Sequence, residues 1–215
     1  MKKEAYYVKS LEEDFATKTI IKNKKAVCQT VQDIVKTERI RLNTISFGSE
    51  KRLACSILNK NYTKTYRAQG IIFQTDAEPD YIFPFDLALL TKNNKIIVQY
   101  YRIKDALHIY YNYRLIKGYE KFKFKDFKKM IEEIPSPLVA WKKVNDFRKS
   151  RGYKEMPKSK YKLVEYNEAI FLKPLKIKPI ALFGYRKETR KIARELNLPC
   201  FASSKQFYNK KIKER

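Results

Sequence analysis

Residues 81–103, YIFPFDLALLTKNNKIIVQYYRI, decide how the rest of the chain is read. Pro84 to Leu90 is an apolar run of strand length, and Ile96 to Tyr101 is a second, rich in β-branched and aromatic residues. Thr91 to Lys95 between them has the polar, Asn-bearing composition that tight turns favour. The stretch therefore predicts a β-hairpin. Side chains alternate faces along a strand, so Asp86 shares a face with Ala88 and Leu90, and Gln99 with Ile97 and Tyr101. Where those faces coincide, Asp86, Gln99 and Tyr101 make a small polar cluster on an apolar ribbon. A charge in such a place must be paired, hydrogen-bonded or metal-bound.

Upstream of the hairpin, Gly70 to Phe73 predicts a strand and Gln74 to Pro79 a polar loop, with Asp80 at the hairpin's mouth. Further back, Gly48-Ser49 supplies a helix N-cap, and Glu50 sits where the helix dipole favours an acid. Leu53, Ala54, Ile57 and Leu58 follow at helical spacing, which predicts a helix with Glu50 on its buried stripe. The plainer account of Glu50 is a first-turn acid that only stabilises that helix. Residues 1–47 read as an N-terminal extension, with a short strand over Ala5 to Val8 and a basic edge strand within Thr37 to Phe47.

Downstream, Lys104 to Tyr119 carries the sole histidine, His108, and Asp126 to Ile134 predicts a helix stopped by Pro135-Ser136-Pro137. Leu138 to Trp141 reads as a short strand, and 142–162 as a basic insertion with little periodicity, either a solvated loop or a nucleic-acid-facing one. Pro179 to Gly184 predicts a strand. Lys187 to Leu196 predicts a helix with Thr189, Ile192, Ala193 and Leu196 inward, and Leu198 to Phe201 a last strand, a closing βαβ unit. Gln206 onward reads as a frayed basic tail. The expected fold is α/β: a mixed sheet flanked by helices over 48–203, with N-terminal and basic C-terminal (204–215) additions.

Charge narrows the function. Forty-eight Lys and Arg against 23 Asp and Glu leave a formal +25, which implies a polyanionic partner, above all nucleic acid. Heat-adapted proteins raise Lys and Glu together, whereas here the acids lag by half. Cys28, Cys55 and Cys200 are widely spaced with no CxxC, so neither a zinc site nor a disulfide framework is indicated. Met1-Lys2-Lys3-Glu4 leads into no apolar run and no stretch approaches membrane-spanning length. The expectation is a cytoplasmic protein with no membrane partner.

Asp86 and Gln99, on neighbouring strands with twelve residues between them, offer two oxygens to a divalent ion such as Mg²⁺, which keeps waters and a phosphate in its other positions. On these residues the chain resembles the PD-(D/E)XK nuclease superfamily, and in spacing the archaeal Holliday junction resolvases. Gly48-Ser49-Glu50 resembles the family's N-terminal helix with its Glu, Asp86 matches the metal-binding Asp, and Gln99 stands where the family has a second acid. The resemblance implies a restriction-endonuclease-like core, Mg²⁺ or Mn²⁺ held by Asp86 and Gln99, hydrolysis of DNA in preference to RNA, and a homodimer. Asp80, which follows Pro79 as in the family's name-giving dipeptide, is an alternative first ligand. The chain departs from the family at Tyr101, which stands where a catalytic Lys belongs, and Lys104 is the nearby substitute chosen here, with Arg102 and Lys95 as others. Two other readings stay open: a decayed nuclease fold that only binds DNA or RNA, and metal-free RNA cleavage by a set such as Tyr101, His108 and Lys142.

Overall fold

The computed structural model describes residues 5–11, 30–41, 53–85, 134–150, 152 and 154–214. Glu50, Asp86, Gln99, Tyr101, Lys104 and His108 lie outside them, as do most of the predicted hairpin and the helix expected over 126–134.

The described chain is mixed α/β. Strands β1 (Tyr7–Ser10), β3 (Leu53–Ile57), β4 (Gly70–Gln74), β5 (Tyr81–Phe83), β6 (Glu168–Phe171), β8 (Lys178–Phe183) and β9 (Cys200–Phe201) form one seven-stranded sheet in the order β5-β6-β3-β1-β4-β8-β9. Every pair is antiparallel except β8 with β9. A second, two-stranded ladder joins β2 (Arg39–Ile40) to β7 (Leu175–Lys176). The helices are α1 (Val31–Thr37), α2 (Pro137–Ser150), α3 (Lys187–Glu195) and α4 (Ser204–Lys213), with a 3-10 helix over Lys158–Val164.

Period-two alternation sorts the core onto two faces. Tyr7, Ile71, Phe73 and Leu182 pack with Val31 and Ile34 of α1 and with Ile192 and Ala193 of α3. The residues between them, Val8, Ile72, Ala181 and Phe183, pack on the opposite face with Phe207 of α4. The unbroken apolar run of β4 fits this arrangement, because a strand covered on both faces has no polar side. Gly70 is required where β1 crosses it: a Cβ would lie 2.4 Å from the Lys9 carbonyl oxygen.

Several expectations hold and several do not. The strand at 70–73, the closing βαβ unit and the inward set Thr189, Ile192 and Ala193 are as read. The predicted helix is not: Leu53 to Ile57 is a strand. Leu53, Ala54 and Ile57 satisfy helical spacing, but Leu53, Cys55 and Ile57 equally satisfy alternation, and slots beside β1 and β6 settle it. Tertiary pairing overrides local pattern there. Tyr81–Phe83 is a strand paired with β6, and Pro84–Phe85, read as the start of the hairpin's first strand, is a bend; the rest of that strand lies outside the described residues. Pro84 lacks the N–H a ladder needs.

Leu138 to Trp141 is helix, not strand. Pro137 opens α2, a position where the missing N–H costs nothing, and the Ser136 hydroxyl accepts from the Val139 N–H at 3.4 Å. The stretch read as a loose insertion is largely exposed, yet it is helical over much of its length and held at a few points: Arg148 is 2% exposed, its Nε donates to the Lys154 carbonyl at 2.7 Å, and the Asn145 side chain accepts from the Met156 N–H. The tail read as frayed is α4, capped by Ser203 and anchored by buried Phe207 against Tyr6 and Phe201. Residues 7–10, placed by the sequence in an extension, lie between β3 and β4 in the middle of the sheet.

Candidate functional site

Of the residues singled out from the sequence, Asp80 and Lys142 are described. Asp80 ties β5 to β6: its N–H donates to the Ile170 carbonyl at 2.9 Å, and its carboxylate accepts from the Leu172 N–H at 2.8 Å. Among the described residues no three His, Cys, Asp or Glu side chains gather as a metal site, around Asp80 or elsewhere. Lys142 is an exposed residue of α2. Cys55 is inert: burial within β3 pushes its thiol up to about 12, and the nearby Lys9 ammonium only partly opposes that.

The structure brings together a different set. A groove of about 410 Å³ opens beyond the C-terminal ends of the parallel strands β8 and β9. Four separate segments wall it: 63–68 between β3 and β4, 162–166 at the end of the 3-10 helix, 183–185 after β8, and 202–205 at the start of α4. Lys64, Arg67, Lys162 and Lys205 supply positive charge, and Glu165 is its one acid. Glu165 meets Lys64 at 2.5 Å. The first turn of α4 carries Lys205 and no acid, so the positive end of that helix dipole is not offset there.

Hydrogen bonds fix the walls. Ser204 donates to the Thr63 carbonyl at 2.7 Å, the Thr65 hydroxyl to the Arg67 carbonyl at 2.6 Å, and the Arg67 N–H to the Ser10 hydroxyl at 3.3 Å. At the end of β8, the Gly184 N–H donates to the Phe201 carbonyl at 2.8 Å. Gly184 adopts φ +151°, and a Cβ there would come within 3.0 Å of Gln69 and Thr189, so this turn needs glycine. The turn delivers Tyr185 to the groove. On the 63–68 segment, the Arg67 guanidinium lies 4.7 Å from the centre of the Tyr66 ring, which Tyr166 braces edge-on at 5.9 Å.

Composition separates what is general from what is local. Four of the 16 lining residues are Lys or Arg, near the chain's own 48 in 215, so cationic density does not single the groove out. Three of the 16 are Tyr, against 16 in 215 for the chain, so the aromatics do. The sequence reading missed Tyr66 and Tyr185. The signal available was that each stands in a Tyr-Arg pair, Tyr66-Arg67 and Tyr185-Arg186, beside a strand end.

No helix among the described residues is long and apolar enough to cross a membrane. Compared with known proteins, the chain matches no family model, no curated protein and no solved structure.

Proposed function

We propose that the protein binds nucleic acid through its phosphates, with the groove as one contact site. Charge carries this reading: 48 cationic side chains against 23 acids over the whole chain, and Lys64, Arg67, Lys162 and Lys205 against Glu165 around one cleft. A like-charged excess of this size repels itself in a compact molecule, and a polyanion relieves it while releasing condensed counterions. The test is affinity against salt. If Arg67, Lys162 and Lys205 each meet a phosphate of a single strand while Lys64 stays with Glu165, log K falls with a slope of about −2 against log salt, a loss of about 20-fold between about 50 and about 200 mM. Ala at Lys162 or Lys205 should flatten that slope by about 0.7 each. Binding indifferent to salt, or absent for every nucleic acid, overturns the proposal.

Metal-dependent cleavage of DNA is the second reading, and the Asp86–Gln99 spacing favours it. On that reading Asp86 and Gln99, with Asp80 as the alternative, hold Mg²⁺ or Mn²⁺, and Glu50, Tyr101 and Lys104 complete the site. Labelled DNA and RNA incubated with Mg²⁺, Mn²⁺ or EDTA, with wild type and Asp86→Ala, decide it. Cleavage lost in EDTA and in the variant supports hydrolysis, and tight binding without cleavage leaves a binding protein. Cleavage that persists in EDTA supports the metal-free alternative.

A further inference from the structure

We infer that the groove is a seat for unstacked bases, so that the protein takes single-stranded nucleic acid in preference to duplex. The inference deepens the phosphate-binding reading and rests on it. Large hydrophobic side chains stand exposed at five places among the described residues, and two of the five are aromatic: Tyr66, 54% exposed, and Tyr185, 64% exposed. Both line the same groove. The other described aromatics in its walls, Tyr166 and Phe183, are buried.

A tyrosine ring left largely in water forgoes most of the stabilisation its burial would bring, and one such ring on a surface means little. Two in one cleft, lined also by Lys64, Arg67, Lys162 and Lys205, match the requirement of a base-stacking site: flat apolar faces for the bases and positive charge for the backbone between them. The walls are fixed before any ligand arrives, by the Ser204–Thr63, Thr65–Arg67 and Gly184–Phe201 hydrogen bonds. Little ordering is then lost on binding. The volume of about 410 Å³ falls in the range of small-ligand sites. A duplex keeps its base faces against one another and can offer this groove only phosphates. A single strand can offer both. Tyrosine stacking does not read the 2′-hydroxyl, so DNA and RNA strands both qualify.

The experiment is fluorescence anisotropy of the full chain with labelled oligothymidylate, oligouridylate and a hairpin duplex, for wild type and for Tyr66→Ala, Tyr185→Ala and the two Phe variants. Single strands should bind more tightly than the duplex. Each Ala change should weaken single-strand binding roughly 5- to 150-fold, and each Phe change should restore it. Duplex affinity should fall by less than single-strand affinity, and far-UV circular dichroism and melting temperatures matching wild type show that the variants are folded. Equal affinity for single strand and duplex, or Ala variants that bind single strands as wild type does, overturns the base seat while leaving phosphate binding standing. Absence of binding to all three probes removes both.

Discussion

Asn167 makes the sharpest prediction about what holds the groove in place. It is fully buried, at 0% exposure, one residue before β6. Its carboxamide oxygen accepts from the Ile57 N–H at 2.8 Å, and its nitrogen donates to the Ile57 carbonyl at 2.9 Å. The side chain thus acts as a peptide group and continues the β3–β6 ladder past its last backbone pair. Asn167→Ala leaves both Ile57 groups buried and unpaired, at about 1–3 kcal/mol each, so roughly 2–6 kcal/mol in all. For a chain of this size that lowers the melting temperature by on the order of 10 °C. Asn167→Asp keeps the acceptor but sets a carboxylate oxygen against the Ile57 carbonyl oxygen, so near neutral pH it should be at least as damaging. Its folded-state pKa must then be raised, because only the protonated form can donate to Ile57. The folded state therefore binds more protons than the unfolded one above the ordinary carboxylate pKa, and stability falls as pH rises. Thermal melts of wild type and both variants at about pH 5 and about pH 7 check this, each variant compared with wild type at the same pH. The Asp variant should recover part of its deficit at the lower pH. An Asp variant as stable as wild type near neutrality, or one relatively worse in acid, refutes the account of the pair. The neighbouring Tyr166 braces Tyr66, so the Ala variant should also weaken binding in the groove.

Three further outcomes follow from the same geometry. Burial raises the hydroxyl pKa values of Tyr7 and Tyr62 and pushes the Cys55 thiol from 9.0 to about 12, so an unfolded chain loses protons above about pH 9 that the folded one keeps. Urea midpoints should therefore hold below that pH and fall steeply up to about 12, with Cys55 alone accounting for about 4 kcal/mol, and Cys55→Ala should flatten the first part of the fall. Glu165→Gln removes the groove's acid and releases Lys64, so nucleic-acid affinity should rise several-fold at low salt and converge with wild type at high salt, read by the same anisotropy titration. Gly184→Ala should destabilise the fold by about 1–3 kcal/mol in urea unfolding, since it meets both an unfavourable φ and the packed Gln69 and Thr189.

How much of this was legible in the sequence follows from how each element is specified. The β8-α3-β9 unit was readable because its parts are neighbours and each carries its own period: an apolar strand, a helix with Thr189, Ile192 and Ala193 inward, then a short strand. Leu53 to Ile57 was misread because its residues fit both periods, and the choice between them lay with β1, far back in the chain, and β6, more than 100 residues ahead. The start of β5 was missed for a related reason, since its described partner is again β6, far ahead in the chain. Pro137 was read only as part of a stop for the preceding segment, and its place at the start of α2 was missed. A proline ends a helix on its N-terminal side and opens one on its C-terminal side, and only the Ser136 cap and the buried series Ala140, Val144, Arg148 distinguish the two. Arg148 hid that series, because a buried arginine is invisible to a hydrophobic pattern.

The groove was hidden for a deeper reason. No two of its four segments adjoin in sequence, and none contains a motif. They meet because β8 and β9 run parallel and end together, while the 63–68 connection is drawn over by Ser204 and the 162–166 wall is pinned to β3 through Asn167. Binding chemistry of this kind is distributed: each segment brings a cation or a ring, and only the topology gathers them. The residues sequence reading favours are the opposite case, Asp86 and Gln99, where chemistry is concentrated in one stretch at a recognisable spacing. The two proposed readings, phosphate binding and metal-dependent hydrolysis, therefore rest on separate stretches of the sequence. Changes at Tyr66 or Tyr185 should alter which strands are held without touching the carboxylate set, and Asp86→Ala should remove any cleavage while leaving the groove's affinity intact.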